Sequence, residues 1–158
     1  MAVTSLEMAG GKQIPIVGLG TWMANDESEL EEALNVALEA GYRHIDTAFV
    51  YSNEAIIGRV LNKWISSGKV KREDLFITTK LPMSGVHEDR VETFLNKSLE
   101  NLKLDYVDLY LVHFPIGTSH NEGGLSSAPD QIKLEAPNHA GVWKKMEEQV
   151  DAGKTKAI

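Results

Sequence analysis

His44-Ile45-Asp46-Thr47-Ala48-Phe49-Val50-Tyr51-Ser52-Asn53-Glu54 is the stretch that decides how this chain folds. His44-Ile45-Asp46 follows a helix end at Gly41 and reads as a short buried strand running out of its core. Asp46 then stands at the C-terminal end of that strand, and Tyr51 follows on a loop. Ser52 or Asn53 is placed to cap a new helix, because a side-chain oxygen there accepts the orphan N–H groups of a helix start. A carboxylate at a strand exit beside a loop tyrosine is what acid chemistry at the C-terminal rim of an α/β barrel requires. The same residues also suit plain capping and packing.

The pattern repeats on both sides of this stretch. Residues 6–16 read as a small hairpin turning at Gly10-Gly11, where tight turns demand positive φ. Residues 17–22, Val-Gly-Leu-Gly-Thr-Trp, form a first buried strand. Asn25-Asp26 caps a helix with Leu30, Ala33, Leu34, Ala37 and Leu38 at helical spacing, closed by Ala40-Gly41. After the central strand comes a helix over residues 53–67 with Ile56, Ile57, Val60, Leu61 and Trp64 on its inner face. A third strand over 75–80 leads to a helix over 87–102, and a fourth over 107–112 ends at His113-Phe114-Pro115. A polar Gly- and Ser-rich loop over 116–137 precedes a helix over 142–152, and residues 154–158 begin a fifth strand. Strand and helix thus alternate with a period of about 30 residues, the mark of βαβ units and a parallel sheet. Gly18-Leu19-Gly20 lacks a complete Gly-rich dinucleotide fingerprint, which favours a barrel over a doubly wound sheet. The domain organisation is one domain over 1–158, with βα units over 17–153.

Composition narrows the function. The 158 residues are 42% apolar and 25% charged, with a net charge of −7 and no cysteine. Acidic balance opposes nucleic-acid and anionic-membrane partners, both of which select basic surface. Without cysteine there is no disulfide, thiolate metal site or thiol nucleophile. No apolar run approaches the roughly 20 residues needed to cross a bilayer, and the first residues do not have the pattern of a signal peptide, so the cytoplasm is the expected location. His120 and His139 have no metal-ligand spacing around them, so no metal site is expected.

Three strands end in groups able to do acid, base or ion-pair chemistry: Asp46, Lys80 and His113. In a parallel barrel these ends open on one face, where Tyr51 joins them. A phenol of pKa near 10 is a poor donor at neutrality, whereas a nearby ammonium stabilises its phenolate and a carboxylate holds that ammonium. Neutral histidine can donate to the same carbonyl oxygen that the phenol protonates. Lys80 as a solvated charge, His113 as a satisfied strand-end histidine, and Trp22, Trp64, Phe114 and Trp143 as packing are the plain alternatives.

Longer motifs settle on a resemblance. Gly18-Leu19-Gly20-Thr21-Trp22, Gly41-Tyr42-Arg43-His44-Ile45-Asp46-Thr47-Ala48, Tyr51-Ser52-Asn53-Glu54, Lys71-Arg72-Glu73-Asp74-Leu75-Phe76-Ile77-Thr78-Thr79-Lys80-Leu81 and Leu104-Asp105-Tyr106-Val107-Asp108-Leu109-Tyr110-Leu111-Val112-His113 occur in order. Together they resemble the N-terminal half of an aldo-keto reductase. The resemblance implies an α/β fold, half of a (β/α)8 TIM barrel preceded by a short β-hairpin. It implies reduction of small-molecule aldehydes or ketones with NADPH. Tyr51 would be the proton donor, Lys80 and Asp46 would tune it, and His113 would orient the carbonyl. Gly20, Thr21, Trp22 and Asp46 match positions near the nicotinamide end of the cofactor. Trp22, Val50, Tyr51, His113 and Phe114 match the substrate pocket, with Phe114 where many relatives carry Trp. The chain stops where the fifth strand begins, and the family's contacts to the 2′-phosphate fall in the other half. The expectation is therefore a fragment or a half-barrel that self-associates or pairs with a complementary half. A catalytically inactive interaction fragment is the alternative function.

Overall fold

A computed structural model describes residues 4–119 and 133–158. A hairpin comes first, β1 (Ser5–Glu7) antiparallel to β2 (Gln13–Pro15), turning through Gly10 and Gly11 at φ 82° and 77°. β3 (Gly18–Gly20), β4 (His44–Asp46), β5 (Phe76–Leu81) and β6 (Leu109–Val112) form a parallel sheet in that order. The helices are α1 (Glu27–Glu39), α2 (Glu54–Ser66), α3 (Val91–Leu102) and α4 (His139–Asp151). Each strand neighbours its successor, and α1 packs on α2, α2 on α3 and α3 on α4. The order never reverses, as it would at the switch point of a doubly wound sheet. This is the α/β succession expected from the sequence.

Period two divides the sheet into two faces. Ile45, Ile77 and Leu81 are fully buried and join the core with Leu34 and Leu38 of α1, Ile57 and Leu61 of α2, and Leu95 and Leu102 of α3. On the opposite face, His44 and Asp46 of β4 stand beside Phe76 and Thr78 of β5. One rim of that second face carries the polar residues of interest.

Several boundaries differ from the sequence reading. The first strand is three residues rather than six, because its ladder lasts only as long as β4. The third strand is shifted by one residue, to Phe76–Leu81, and the fourth begins at Leu109. Asp108 is the reason for the late start: its side chain accepts the Ile77 N–H (2.9 Å), and Val107 pairs instead with Thr155. Of the fifth strand expected over 154–158, the structure shows this single parallel bridge. The third helix starts at Val91 rather than 87, since residues 83–90 are used in tight turns, with Val86 N bonded to Met83 O and Arg90 N to His87 O. Ala33 is exposed rather than buried. The last helix starts earlier, at His139, capped by Asn138 accepting from Gly141 N. Part of the predicted loop forms a two-residue hairpin, β7 (Gly117–Thr118) with β8 (Leu134–Glu135); the middle of that loop, with His120, lies outside the described residues. Among the described residues no helix is long and apolar enough to cross a membrane.

Candidate active site

Asp46 ends β4 and Lys80 stands near the end of β5, two residues past Thr78, the partner of Asp46, and so on the same face of the sheet. The two meet. Lys80 Nζ donates to Asp46 Oδ1 at 2.6 Å and to the Thr47 carbonyl at 2.8 Å. The lysine side chain is 12% exposed and the aspartate 38%. A buried ammonium needs such partners, because desolvation penalises an unpaired charge far more than a solvated one. Lys80 is therefore not a free surface charge.

Tyr51 reaches the same point from the loop. After Asp46 the chain makes a one-turn 3-10 helix, Phe49–Tyr51, that ends at Ser52 in the left-handed region, φ 57°. Phe49 anchors this turn edge-to-face on Phe94 of α3, with ring centres 5.0 Å apart. The turn brings Tyr51 Oη to 3.5 Å from Lys80 Nζ, and the ammonium also lies 5.1 Å from the phenol ring centre. His113, whose N–H continues the β5–β6 ladder by bonding Leu81 O, packs edge-on to Tyr51 at 5.6 Å and stacks on Phe114 at 4.7 Å. Its Nδ1 is buried without a hydrogen-bond partner. Burial first, and the Lys80 ammonium second, hold His113 below the usual histidine range, with Asp46 opposing them. The ring is accordingly neutral near pH 7.

The structure thus brings together four of the predicted residues, Asp46, Tyr51, Lys80 and His113. Gly20 pairs with Asp46, and Thr21 bonds the Asp46 carbonyl through both its N–H (3.0 Å) and its hydroxyl (3.2 Å). Trp22 is 71% exposed and Phe114 46%, while Val50 is half-buried beside Tyr51.

Two residues, Asn53 and Thr47, have roles that the sequence reading did not give them. Asn53 occupies the cap position of α2, yet its side chain caps nothing. Its amide instead donates to the carbonyls of Thr21 (2.8 Å) and Ala24 (3.3 Å) and accepts the Thr47 hydroxyl (3.2 Å). Asn53 and Thr47, 2% and 0% exposed, therefore tie the loop after β3 to the loop after β4 and fix the carbonyl that Lys80 grips. No local signal pointed to this, because a helix-start Asn is ordinarily a cap.

Comparison with known proteins agrees with the geometry. Residues 16–158 match the sequence profile described as "Aldo/keto reductase family". The aldose reductase of Encephalitozoon cuniculi is 46% identical over 161 aligned residues, which is all of this chain and 52% of that protein. Aldo-keto reductase family 1 member A1 of Gallus gallus is 43% identical, over 94% of this chain and 46% of its own length. The solved aldose reductase of Schistosoma japonicum superposes with a TM-score of 0.90 at 41% identity, over 97% of this chain and 51% of its own. The chain spans about half the length of these relatives. By this match and by the strand-end cluster that it encloses, the chain belongs to the aldo/keto reductase family.

Proposed function

We propose that the protein in its full length reduces small aldehydes and ketones to alcohols with NADPH, and that Tyr51 supplies the proton. The observation that carries this reading is the Lys80 ammonium, bonded to Asp46 and the Thr47 carbonyl and 3.5 Å from the Tyr51 oxygen.

Reduction puts a hydride on the carbonyl carbon and a proton on its oxygen; NADPH, when bound, supplies the hydride. The residues present suit the nicotinamide end of that cofactor. A Cβ at Gly20 would meet nothing within 4 Å, so a planar ring has open approach to that backbone. Trp22 offers an exposed indole face, and Asp46 keeps more than a third of its side chain accessible. Thr21 fixes the backbone between them. Contacts to the phosphates belong to the half of the family's length that this chain does not span.

Tyr51 donates its hydroxyl proton to the carbonyl oxygen, and the ammonium of Lys80 stabilises the phenolate that remains. Asp46 holds the ammonium in place and neutral His113 orients the carbonyl, with water returning a proton to Tyr51 afterwards. Trp22, Val50 and Phe114 wall the substrate. The test is steady-state NADPH oxidation by the full-length protein with a panel of aldehydes and ketones, and alcohol measured alongside. One alcohol per NADPH is expected; no cofactor consumption with any member of the panel would end this reading.

A further inference from the structure

Glu54 is a carboxylate that the chemistry above does not use, yet it is 1% exposed. An acid in the first turn of a helix is favoured by the helix dipole without leaving water, so burial here answers another need. Its Oε1 accepts the hydroxyl of Thr79 at 2.6 Å, and its Oε2 accepts Asn101 Nδ2 at 3.4 Å. Thr79 is fully buried and precedes Lys80 on β5, its side chain on the helix-facing side while Lys80 faces the site. Glu54 opens α2 only three residues after Tyr51. One turn further on, Gly58 lies so close to the Asn101 carbonyl and Leu102 that a Cβ would collide with that backbone. α2 is thus held both laterally, on the end of α3, and along β5.

We propose that Glu54 is a positioning residue: its bond to Thr79 fixes the start of α2 on β5 and so sets the approach of the Tyr51 phenol to the Lys80 ammonium. The 3.5 Å contact between those groups is made by residues on two separate elements, a loop turn and a strand. The Thr79–Glu54 bond ties that strand, from the other side of the sheet, to the start of the helix that follows the turn. Desolvation raises the Glu54 pKa, and its hydrogen-bond donors, Thr79 foremost, oppose the rise. The inference rests on the proposed reduction for its kinetic consequence, but not for its structural one.

The test uses the full-length protein with Thr79→Val, which deletes the hydroxyl at nearly constant volume, Thr79→Ser, which restores it, and Glu54→Gln, which keeps an acceptor. Hydrogen exchange is read at the amides of Tyr51 and Ser52, bonded in the wild type to Ala48 O and Phe49 O, against those of α1. Thr79→Val should quicken Tyr51 and Ser52 at least fivefold and leave α1 unchanged, with Thr79→Ser close to wild type. In parallel, kcat should fall at least tenfold in Thr79→Val with carbonyl KM and NADPH Kd within twofold, and recover in Thr79→Ser. Glu54→Gln, retaining an acceptor for Thr79, should fall between these two. Lowered Tm with unchanged kcat and unchanged loop exchange would reduce Glu54 to an ordinary structural residue and overturn the proposal. A wild type that exchanges as expected but reduces nothing would instead overturn the reductase reading, leaving the clamp to the exchange data alone.

Discussion

Two ion pairs bracket the parallel sheet, and they differ in what else their cations touch. At the rim formed by the strand ends, Lys80 meets Asp46 at 2.6 Å. At the opposite rim, Arg72 meets Asp108 at 2.7 Å with both side chains 15% exposed. Arg72 spends its remaining contacts on the carbonyls of Leu75 (3.1 Å) and Tyr106 (2.9 Å), and its guanidinium lies 3.9 Å from the Tyr106 ring centre. Asp108 takes over the Ile77 N–H that a strand carbonyl would otherwise accept. That pair is a seam between β5 and β6. Lys80 also satisfies a carbonyl, but its third neighbour is a phenol at a partly open rim. Nearly equal distances therefore conceal different work: at one end charge completes backbone hydrogen bonding, at the other it lies beside a group that can give up a proton. The division follows the general separation of stability and chemistry between the two faces of parallel α/β barrels.

The largest expected effect probes the chemical rim. Tyr51→Phe in the full-length protein should lower kcat for aldehyde reduction by about two to four orders of magnitude, the usual contribution of a general acid, with NADPH affinity unchanged. A variant retaining a tenth of the parent kcat would mean that the proton comes from elsewhere.

Asp108→Ala should do the reverse, costing about 3–5 kcal/mol because Arg72 is left without its carboxylate and Ile77 N–H without an acceptor. Urea unfolding measures the loss; kcat/KM per folded molecule should stay within twofold. A change in catalysis comparable with that of Tyr51→Phe would dissolve the contrast between the two rims.

Gly58→Ala sharpens the comparison from outside the sheet. Helix propensity alone favours alanine by about 1 kcal/mol, but overpacking costs about 1–3 kcal/mol where the neighbour cannot move. The obstructing atoms are backbone of Asn101 and Leu102, so a net loss of about 1 kcal/mol is expected by denaturant titration. A stabilised variant would show that α2 and α3 slide apart easily, and would weaken the case for a rigid α2 start.

The smallest effect is one of pH. His113 in the fold lies below the usual histidine value, so the unfolded chain binds more protons as pH drops through about 6.5, and stability falls with it. Above that range the contribution is fully present. Melting temperatures of wild type and His113→Gln should converge or cross as pH falls from about 7 to about 5, with the variant the less sensitive. Parallel curves would place the proton cost on another group.

Much of this was legible in residue order. Leu30, Leu34 and Leu38, or Ile57, Leu61 and Trp64, repeat at helical spacing and do face the core. Gly10 and Gly11 do turn the hairpin. Alternation of strand and helix fixed which residues end strands, and so placed Asp46, Lys80 and His113 at one rim. Local signals suffice for these because periodicity and turn chemistry act over a few residues.

Other features depended on partners distant in sequence. Asn53 has the chemistry of a cap and became a clamp, because carbonyls of Thr21 and Ala24 compete for its amide. The fourth strand starts late because a side chain, Asp108, replaces backbone in the ladder. Glu54 reads as a first-turn acid until Thr79 and Asn101 close over it. By itself the sequence determined the order of elements, the hydrophobic faces and the chemical types at the strand ends. Only the tertiary structure decided which polar group each of them meets, since a hydrogen bond depends on tenths of an ångström and on competing partners that spacing along the chain does not encode.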